Sequence, residues 1–394
     1  MDLDDIVLLA GARLPIGRFG GALKDLRVYE LGARAISEAV RRAGIRAQDV
    51  DEVFVAHNRQ SGNGPNPGRT AAVLGGIPAR VPAHTINMAC PAGLRAAIEA
   101  AQAIRLGECE VAVVCGMESM STIPHLLLGA RWKAFRSGPI VIEDEFFSMV
   151  EPLSGMSTIE LAEHTAGKYG VSRREQEEFA VESHAKATRA WKEGWYDAEV
   201  VAVEVAPAEG GATSQFAKDE CFRPDASLEK MAKLAPAKKG GTVSAATASG
   251  VTDGAGAVVM TTRDRARRLG IAPLASLVAY TEVALDPADM LEGPALAIPK
   301  VLEKAGMQLR EMDLVEVNEA FAAQVLANER VLGWDRSRLN VHGGAIALGH
   351  PTGFTGVRLL ITLSYALRTH GGTHGLIALC GGGGLGIAMI LRRA

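Results

Sequence analysis

The sequence predicts an α/β protein made of two related halves, each a mixed or parallel sheet with helices on both faces, and a long segment inserted between them. Three observations lead there: a repeat at a shift of 262 or 263 residues, alternating strand-like and helix-like patterns within each copy, and an unduplicated stretch over residues 121–245.

The repeat is an ordered series. Ala35-Ile36, Ala43-Gly44, Asp51, Val53 and Val55 return as Ala297-Ile298, Ala305-Gly306, Asp313, Val315 and Val317. Further along, Gly93-x-Arg95 returns as Gly356-x-Arg358. Ile98, Ala103 and Arg105 return as Ile361, Ala366 and Arg368, and Cys115-Gly116 answers Cys380-Gly381 after a short insertion. Recurrence of this kind marks copies of one supersecondary unit. In the first copy, strands near residues 6–9, 53–55 and 111–114 enclose helices near 29–43 and 91–105. Apolar residues at helical spacing stop at Ala-Gly, and valines alternate in the strands. The second copy places strands near residues 274–283, 314–317, 376–379 and 385–391. Strand–helix alternation implies right-handed crossovers and a sheet covered on both faces. The intervening stretch holds two helical segments, 158–169 and 172–192, and a Pro, Gly and Ala-rich run from Ala206 to Thr213. Insertions of this length are usually functional, and a lid or binding domain is expected. The chain then divides into residues 1–120 plus 246–271 as the N-terminal half, 121–245 as the insert, and 272–394 as the C-terminal half.

Composition excludes several classes. Lys and Arg number 42 against 45 Asp and Glu in 394 residues, a formal charge of −3. Such balance argues against a nucleic-acid binder with a basic face. At 48% hydrophobic and 22% charged residues the chain is globular rather than disordered. No apolar run approaches the ~20 residues of a membrane-spanning helix. The acidic start Met1-Asp2-Leu3-Asp4-Asp5 is unlike a secretory signal, and Leu391-Arg392-Arg393-Ala394 is no peroxisomal address, so a cytoplasmic location is expected. Five cysteines without a C-x-x-C pair indicate neither a disulfide framework nor a metal site.

Four features at the ends of the repeated strands could carry chemistry. Cys90 precedes Pro91, a residue suited to a first helical turn, so its thiol stands at a helix N-terminus where the dipole favours thiolate. His350 closes the glycine-bracketed loop Gly343 to Pro351 and could serve as a base near neutral pH. Cys380 is followed by Gly381-Gly382-Gly383-Gly384, whose N–H groups could line an oxyanion hole. Asn318-Glu319-Ala320-Phe321 ends a repeated strand. Taken singly, each also fits a structural role: a buried cysteine, a core histidine, a tight turn between strands, a helix cap by Asn318. Together they place a nucleophile, a base, a second thiol and oxyanion donors at one sheet edge, where α/β proteins carry their sites.

At this point the sequence resembles the thiolase family of 3-ketoacyl-CoA thiolases and acetyl-CoA acetyltransferases. The matches are Arg13-x-Pro15-x-Gly17-x-Phe19-x-Gly21-x-Leu23, Gly116 to Ser121, Asp219-Glu220-x-x-Arg223, Gly241-Thr242-Val243 and Ala248-Ser249-Gly250-x-x-Asp253-Gly254-Ala255. They continue with Asn318 to Ala322, Gly343 to Pro351 and Cys380 to Gly386. The resemblance implies a thiolase-like fold of duplicated β-α-β-α-β-α-β-β halves in five α-β-α-β-α layers with an inserted lid. It implies ping-pong acyl transfer: thiolysis of 3-ketoacyl-CoA, or the reverse condensation, through an acyl-Cys90 thioester. His350 would activate Cys90. Asn318 would fix a water beside His350 in a hole for the acetyl-CoA enolate, and Cys380 would act as acid and base. The N–H groups of Cys90 and Gly382 would form a second oxyanion hole. Arg223, Ser227, Ser249 and Phe321 are implied coenzyme A contacts, and the cluster Arg131, Lys133, Arg136 is a weaker candidate for phosphates. Coenzyme A and acyl-CoA enter as substrates with no permanently bound cofactor, and a homodimer or homotetramer is implied.

Three departures stand out. The family's Cys-Gly-Ser-Gly is Cys90-Pro91-Ala92-Gly93 here, its Ala-Gly-Asn-Ala-Ser-Gly is Ala245-Ala246-Thr247-Ala248-Ser249-Gly250, and its His-Met-Gly is replaced by Met156-Ser157-Thr158-Ile159. They motivate one competing reading, a non-catalytic acyl-CoA-binding homologue. A decarboxylating ketosynthase would need a second histidine where Asn318 stands.

Overall fold

The computed structural model describes residues 2–132, 139–146, 150–205 and 213–394; residues 206–212 of the Pro, Gly and Ala-rich run, and Lys133 and Arg136, lie outside them. The first half contains β1 (Ile6–Arg13), α1 (Val28–Arg42), β2 (Glu52–Ala56), α2 (Pro67–Leu74), β3 (Ala83–Ile86), α3 (Ala92–Leu106) and β4 (Val111–Ser119). The insert contributes α4 (Thr158–Tyr169) and α5 (Arg173–Lys192), after which β5 (Thr252–Thr262) enters the sheet between β1 and β4. The second half runs β6 (Ala275–Ala284), α6 (Gly293–Ala305), β7 (Leu314–Val317), α7 (Ala322–Leu332), α8 (Thr352–Thr369), β8 (His374–Gly381) and β9 (Leu385–Arg393).

The strands follow the order β7-β8-β9-β6-β1-β5-β4-β2-β3. Read from its centre the order is the same in both directions: β1-β5-β4-β2 mirrors β6-β9-β8-β7, and the parallel bridge of Leu339 to Val315 takes the place of β3. Pairs β2–β3, β2–β4 and β7–β8 are parallel and the others antiparallel. The halves meet where β1 and β6 pair over only two residues, Val7 with Ser276 and Leu8 with Ala275.

Side-chain alternation turns these strands into five layers. Ala112 and Val114 of β4 pack with α3 and α8 in a central cluster, whereas Val111, Val113 and Cys115 pack with α1 and α2 outside. Likewise Ile377 and Leu379 of β8 face the central cluster, and Leu376 and Ala378 face α6 and α7. Burial on both faces explains why these strands read as nearly continuous apolar runs.

The repeat has physical causes at two positions. Asp51 accepts the N–H groups of Glu110 and Val111 at the start of β4, both at 2.9 Å. Asp313 accepts those of Thr373 and His374 at the start of β8, at 2.7 and 2.9 Å. Each aspartate sets the register of its crossover strand. The glycines of the two Gly-x-Arg copies are where α3 and α8 touch. A Cβ on Gly93 would lie 2.6 Å from Val357 N, and one on Gly356 would lie 2.5 Å from Leu94 N. Only backbone fits between these helices.

The insert docks on the second half, α4 against α7 and α5 against the short helix Ala345–Leu348. It is also pinned to β1, where the buried Arg13 guanidinium meets Glu199 at 2.6 Å and Asp219 at 2.8 Å. Four elements had no sequence assignment: α2, β3, β5 and α7. β5 carries Gly254 and Gly256, and both lie under the ring of Phe354, where a larger side chain would overlap it.

Candidate active site

The loops leaving β2, β3, β7 and β8 open at one edge of the molecule, and the contact of α3 with α8 brings the two halves' loops together. Cys90 sits on the turn between β3 and α3. Ala89 before it is held at φ 51°, in the left-handed region that side chains other than glycine rarely adopt. The turn is tied from both sides. Ala89 N–H donates to Asn87 Oδ1 at 3.0 Å, Asn87 Nδ2 donates to Asn58 O at 3.2 Å, and Ala92 N–H returns to Ala89 O at 2.9 Å. Pro91 packs its ring on Gly381, where any Cβ would overlap it, so the nucleophile turn rests on the Cys380 loop.

Burial pushes the Cys90 thiol up to about 11. The Arg59 guanidinium and the N–H groups of Cys90 and Gly382 favour the thiolate but do not outweigh it, and Glu118 adds to the upward shift. The expectation of a thiolate stabilised by the helix dipole is therefore corrected: desolvation wins and the resting group is a thiol. A base must take its proton during attack. Cys380, near the end of β8, is pushed up further by burial and by its neighbour Cys90. It shares an apolar cluster with Leu161, Met290, Leu291 and Phe321, against which Met156 packs.

His350 is buried and neutral, drawn down to about 4 by burial and by Arg358, with Glu118 opposing. Its Nδ1 lies 2.7 Å from Thr355 Oγ1, and that hydroxyl donates to Pro351 O at 3.1 Å. The Thr355 oxygen therefore accepts the Nδ1 proton, leaving the Nε2 lone pair free for proton transfer. Nε2 faces Asn318 Nδ2 at 3.4 Å. Asn318 is fully buried, and its Oδ1 has no hydrogen-bond partner among the described residues. It does not cap α7; Phe321 stands at that position. The adjoining Glu319 receives Ser183 Oγ of α5 at 2.7 Å, Asn340 Nδ2 at 2.8 Å and Ile346 N at 3.1 Å, fixing the loop that carries His350. Gly343 needs φ 85° against Ala187 of α5, Gly344 faces the Glu319 carboxylate, and Gly349 needs φ 105° against Thr252.

Thr355 and Glu118 escaped sequence reasoning. Glu118, at the end of β4, lies 2.8 Å from His57 Nδ1 and receives Gly353 N and Thr352 Oγ1, both at 2.9 Å. Burial works against its charge, but His57 and these donors hold the carboxyl below its ordinary range. Its motif, Gly116 to Ser121, was visible only as a pattern without a role.

The remaining candidates divide. Ala248 bridges to Phe321 and Ser249 N donates to Ala320 O at 3.0 Å, so both Ser249 and Phe321 border the Asn318 loop. Arg223 is exposed on the insert, its N–H donating to His184 Nδ1 at 3.1 Å. Ser227 caps the short helix Leu228–Ala232. Among the described residues no hydrogen bond joins Arg223 or Ser227 to Cys90, His350, Asn318 or Cys380. Arg131 of the basic cluster is exposed. No group of three His, Cys, Asp or Glu among the described residues is placed to hold a metal ion.

Family models agree with this architecture. The thiolase N-terminal domain matches residues 6–264 and the thiolase C-terminal domain matches residues 271–393. This chain belongs to the thiolase family. An acetyl-CoA acetyltransferase of Cupriavidus necator is 42% identical over 394 residues, covering 99% of this chain and 100% of that protein. The human mitochondrial 3-ketoacyl-CoA thiolase superposes with a TM-score of 0.96 at 37% identity, over the whole of both chains. A structure of that thiolase in complex with CoA gives 0.94 at 37% identity, covering 100% of this chain and 98% of that one.

Within the thiolase frame two departures acquire structural meaning. Pro91 fills the space above Gly381. Thr247 is buried, its hydroxyl receiving Ser244 N–H at 2.9 Å and donating to Ser244 O at 3.2 Å, so it closes its own turn. No helix among the described residues is long and apolar enough to cross a membrane.

Proposed function

We propose that this chain is a working thiolase, an acyltransferase that cleaves 3-ketoacyl-CoA with coenzyme A or condenses two acyl-CoA molecules. The observation that carries the reading is the 2.7 Å contact of His350 Nδ1 with Thr355 Oγ1, which fits a neutral base whose Nε2 faces Asn318, in a site that also contains a protonated nucleophile and a second buried thiol. A non-catalytic homologue would have no use for it.

In the cleavage direction Cys90 Sγ attacks the 3-keto carbon while its proton passes to His350 Nε2. The developing oxyanion lies on the N–H groups of Cys90 and Gly382, donors of the kind that contribute about 3 to 4 kcal/mol each to barrier reduction. Breaking the C2–C3 bond leaves an acyl-Cys90 thioester and the enolate of acetyl-CoA. Protonated His350 and a water held by Asn318 Oδ1 stabilise that enolate. Cys380 gives its proton to C2, and the thiolate left behind takes the proton of incoming CoA. The CoA thiolate then attacks the thioester, and His350 returns its proton to Cys90. Splitting the reaction through a covalent intermediate replaces one difficult step by two easier ones.

Arg223, Ser227, Ser249 and Phe321 are proposed CoA contacts, and the substrates bind transiently with no resident cofactor. The halves and insert drawn from the repeat serve as units, and the assembly is a homodimer or homotetramer in the cytoplasm. CoA-dependent loss of the acetoacetyl-CoA enolate absorbance tests the activity; no loss with any ketoacyl chain length refutes it. Light scattering that returns a 41.4 kDa particle at micromolar concentration refutes the oligomer.

A further inference from the structure

The turns that open α3 and α8 are copies of one another, and their contacts show it. At the shift of 263 residues Cys90-Pro91 corresponds to Gly353-Phe354, and past the short insertion Gly116 to Glu118 correspond to Gly381 to Gly383. A Cβ on Gly381 would lie 2.4 Å from the Pro91 ring, and one on Gly116 would lie 2.8 Å from the Phe354 Cα, so each turn rests on the equivalent glycine of the other half. The first turn offers its Cys90 N–H, with that of Gly382, to the developing oxyanion. The second offers the Gly353 N–H, and an anion already stands there. Glu118 Oε2 accepts the Gly353 N–H and the Thr352 hydroxyl, both at 2.9 Å. Glu118 is fully buried, and its counterpart at the nucleophile turn is Gly383, which has no side chain to do the same beside Cys90. One copy of the turn is open to substrate and the other is filled from within.

The filling ties both turns to one group. Thr352 and Gly353 follow His350 by two and three residues. The same carboxylate accepts the backbone N–H groups of Asn58 and Arg59, both at 3.2 Å, and lies 2.8 Å from His57 Nδ1. Asn58 O then accepts Asn87 Nδ2 at 3.2 Å, and Asn87 Oδ1 accepts the N–H of Ala89, next to Cys90, at 3.0 Å. Glu118 thus holds the base turn directly and the nucleophile turn through Asn58 and Asn87. Without it these buried donors lose their acceptor, and nothing else on the page links the two turns by hydrogen bonds. We propose that Glu118 is a positioning residue that sets His350 against Cys90, its carboxylate serving as an internal anion in the second copy of the oxyanion turn. The proposal rests on the thiolase reading and adds to it a group that touches neither substrate nor reacting atoms.

The test uses the copy itself, because a turn built around an anion should take one from solution once its own is removed. Glu118→Ala lowers kcat for acetoacetyl-CoA thiolysis by about 10- to 100-fold, the cost of misplacing reacting groups by about 1 Å, and leaves KM for CoA near its native value. Added formate restores kcat, whereas chloride at the same ionic strength does not. Glu118→Asp keeps the charge but withdraws the carboxylate by one methylene; it lowers kcat with KM unchanged and gains nothing from formate. Native kcat in either variant overturns the proposal, as does a loss that falls on KM instead of kcat. A folded Glu118→Ala that formate leaves inactive overturns it too, because the turn would then hold no anion site. Should Glu118→Ala not fold, the kcat of Glu118→Asp decides. A wild type that leaves acetoacetyl-CoA intact overturns the thiolase reading together with the proposal, whereas an active wild type with indifferent variants overturns the proposal alone.

Discussion

Thr355→Val isolates the device on which the mechanism depends. Valine keeps the shape of threonine inside α8 but offers no acceptor to His350 Nδ1, which lies 2.7 Å from Oγ1 in the native protein. The ring then has two choices. It can keep its proton on Nδ1, unsatisfied in a buried site, or move it to Nε2, where it blocks the lone pair that must receive the Cys90 proton. Leaving a buried donor unpaired costs about 1 to 3 kcal/mol, so restoring the reactive tautomer slows acylation by about 5- to 150-fold. The loss falls on kcat, because Thr355 touches His350 and not the substrate.

Rapid mixing with an acyl-CoA donor, followed by intact-mass analysis of the acyl-enzyme, reads that step directly. Thr355→Ser retains the oxygen and is expected to acylate close to the native rate. Native-like acylation by Thr355→Val would refute the reasoning, since His350 would then need no fixed tautomer. Equal losses in Thr355→Ser and Thr355→Val would refute it as well, because the hydroxyl would not be what matters.

Three further outcomes follow. Cys380→Ser should still take an acyl group onto Cys90 yet lose about 10² to 10⁴ in thiolysis, whereas Cys90→Ser should form no acyl-enzyme; mass spectrometry showing acylation persisting in Cys90→Ser would reverse the roles. Gly356→Ala drives a Cβ to 2.5 Å from the backbone nitrogen of Leu94, which no rotamer change relieves, and denaturant unfolding should show a loss of about 1 to 3 kcal/mol or more. Stability should fall as pH drops from about 6.5 toward 4: burial holds His350 and His184 at about 4 and His342 at about 3, so the unfolded chain binds protons that the folded one refuses, worth up to about 3 kcal/mol for each histidine. Glu316, raised by burial to about 7, acts in the opposite sense over the same range, as do Glu199, Glu319 and Asp253, whose carboxyls burial also raises, and a stability that rises on acidification would show that these carboxyls dominate the histidines.

The fold was legible where a physical requirement repeats. Asp51 and Asp313 recur because each crossover strand needs its first N–H groups held, and Gly93 and Gly356 recur because the central helices meet there. Elements whose pattern is set by distant partners were not legible. β5 hides behind glycines demanded by Phe354, and β3 is a four-residue edge strand, Ala83-His84-Thr85-Ile86, whose only apolar residues are its two ends. At the site, residue type and position announced Cys90, His350, Cys380 and Asn318. The charge state of Cys90 was not readable, because desolvation is a property of the packed surroundings. Glu118 was missed for the same reason, since its partners His57, Thr352 and Gly353 come from both halves of the chain.

The duplication also explains how the chemistry is divided. At the shift of 263 that aligns Gly93 with Gly356, His350 takes the place of Asn87 and Gly353 the place of Cys90. Each half thus ends its inner crossover in the same turn before the same helix. One turn carries the nucleophile and the other the base, and neither copy holds both. The glycine contact of α3 with α8 is what converts two half-sites into one, because it sets the two helix N-termini side by side. Glu118 of the first half reinforces the junction by binding Gly353 N and Thr352 Oγ1, directly after His350. A close approach at Gly93 and Gly356 is therefore a condition for catalysis as well as for packing: widening it would part Cys90 from His350 while leaving each turn intact.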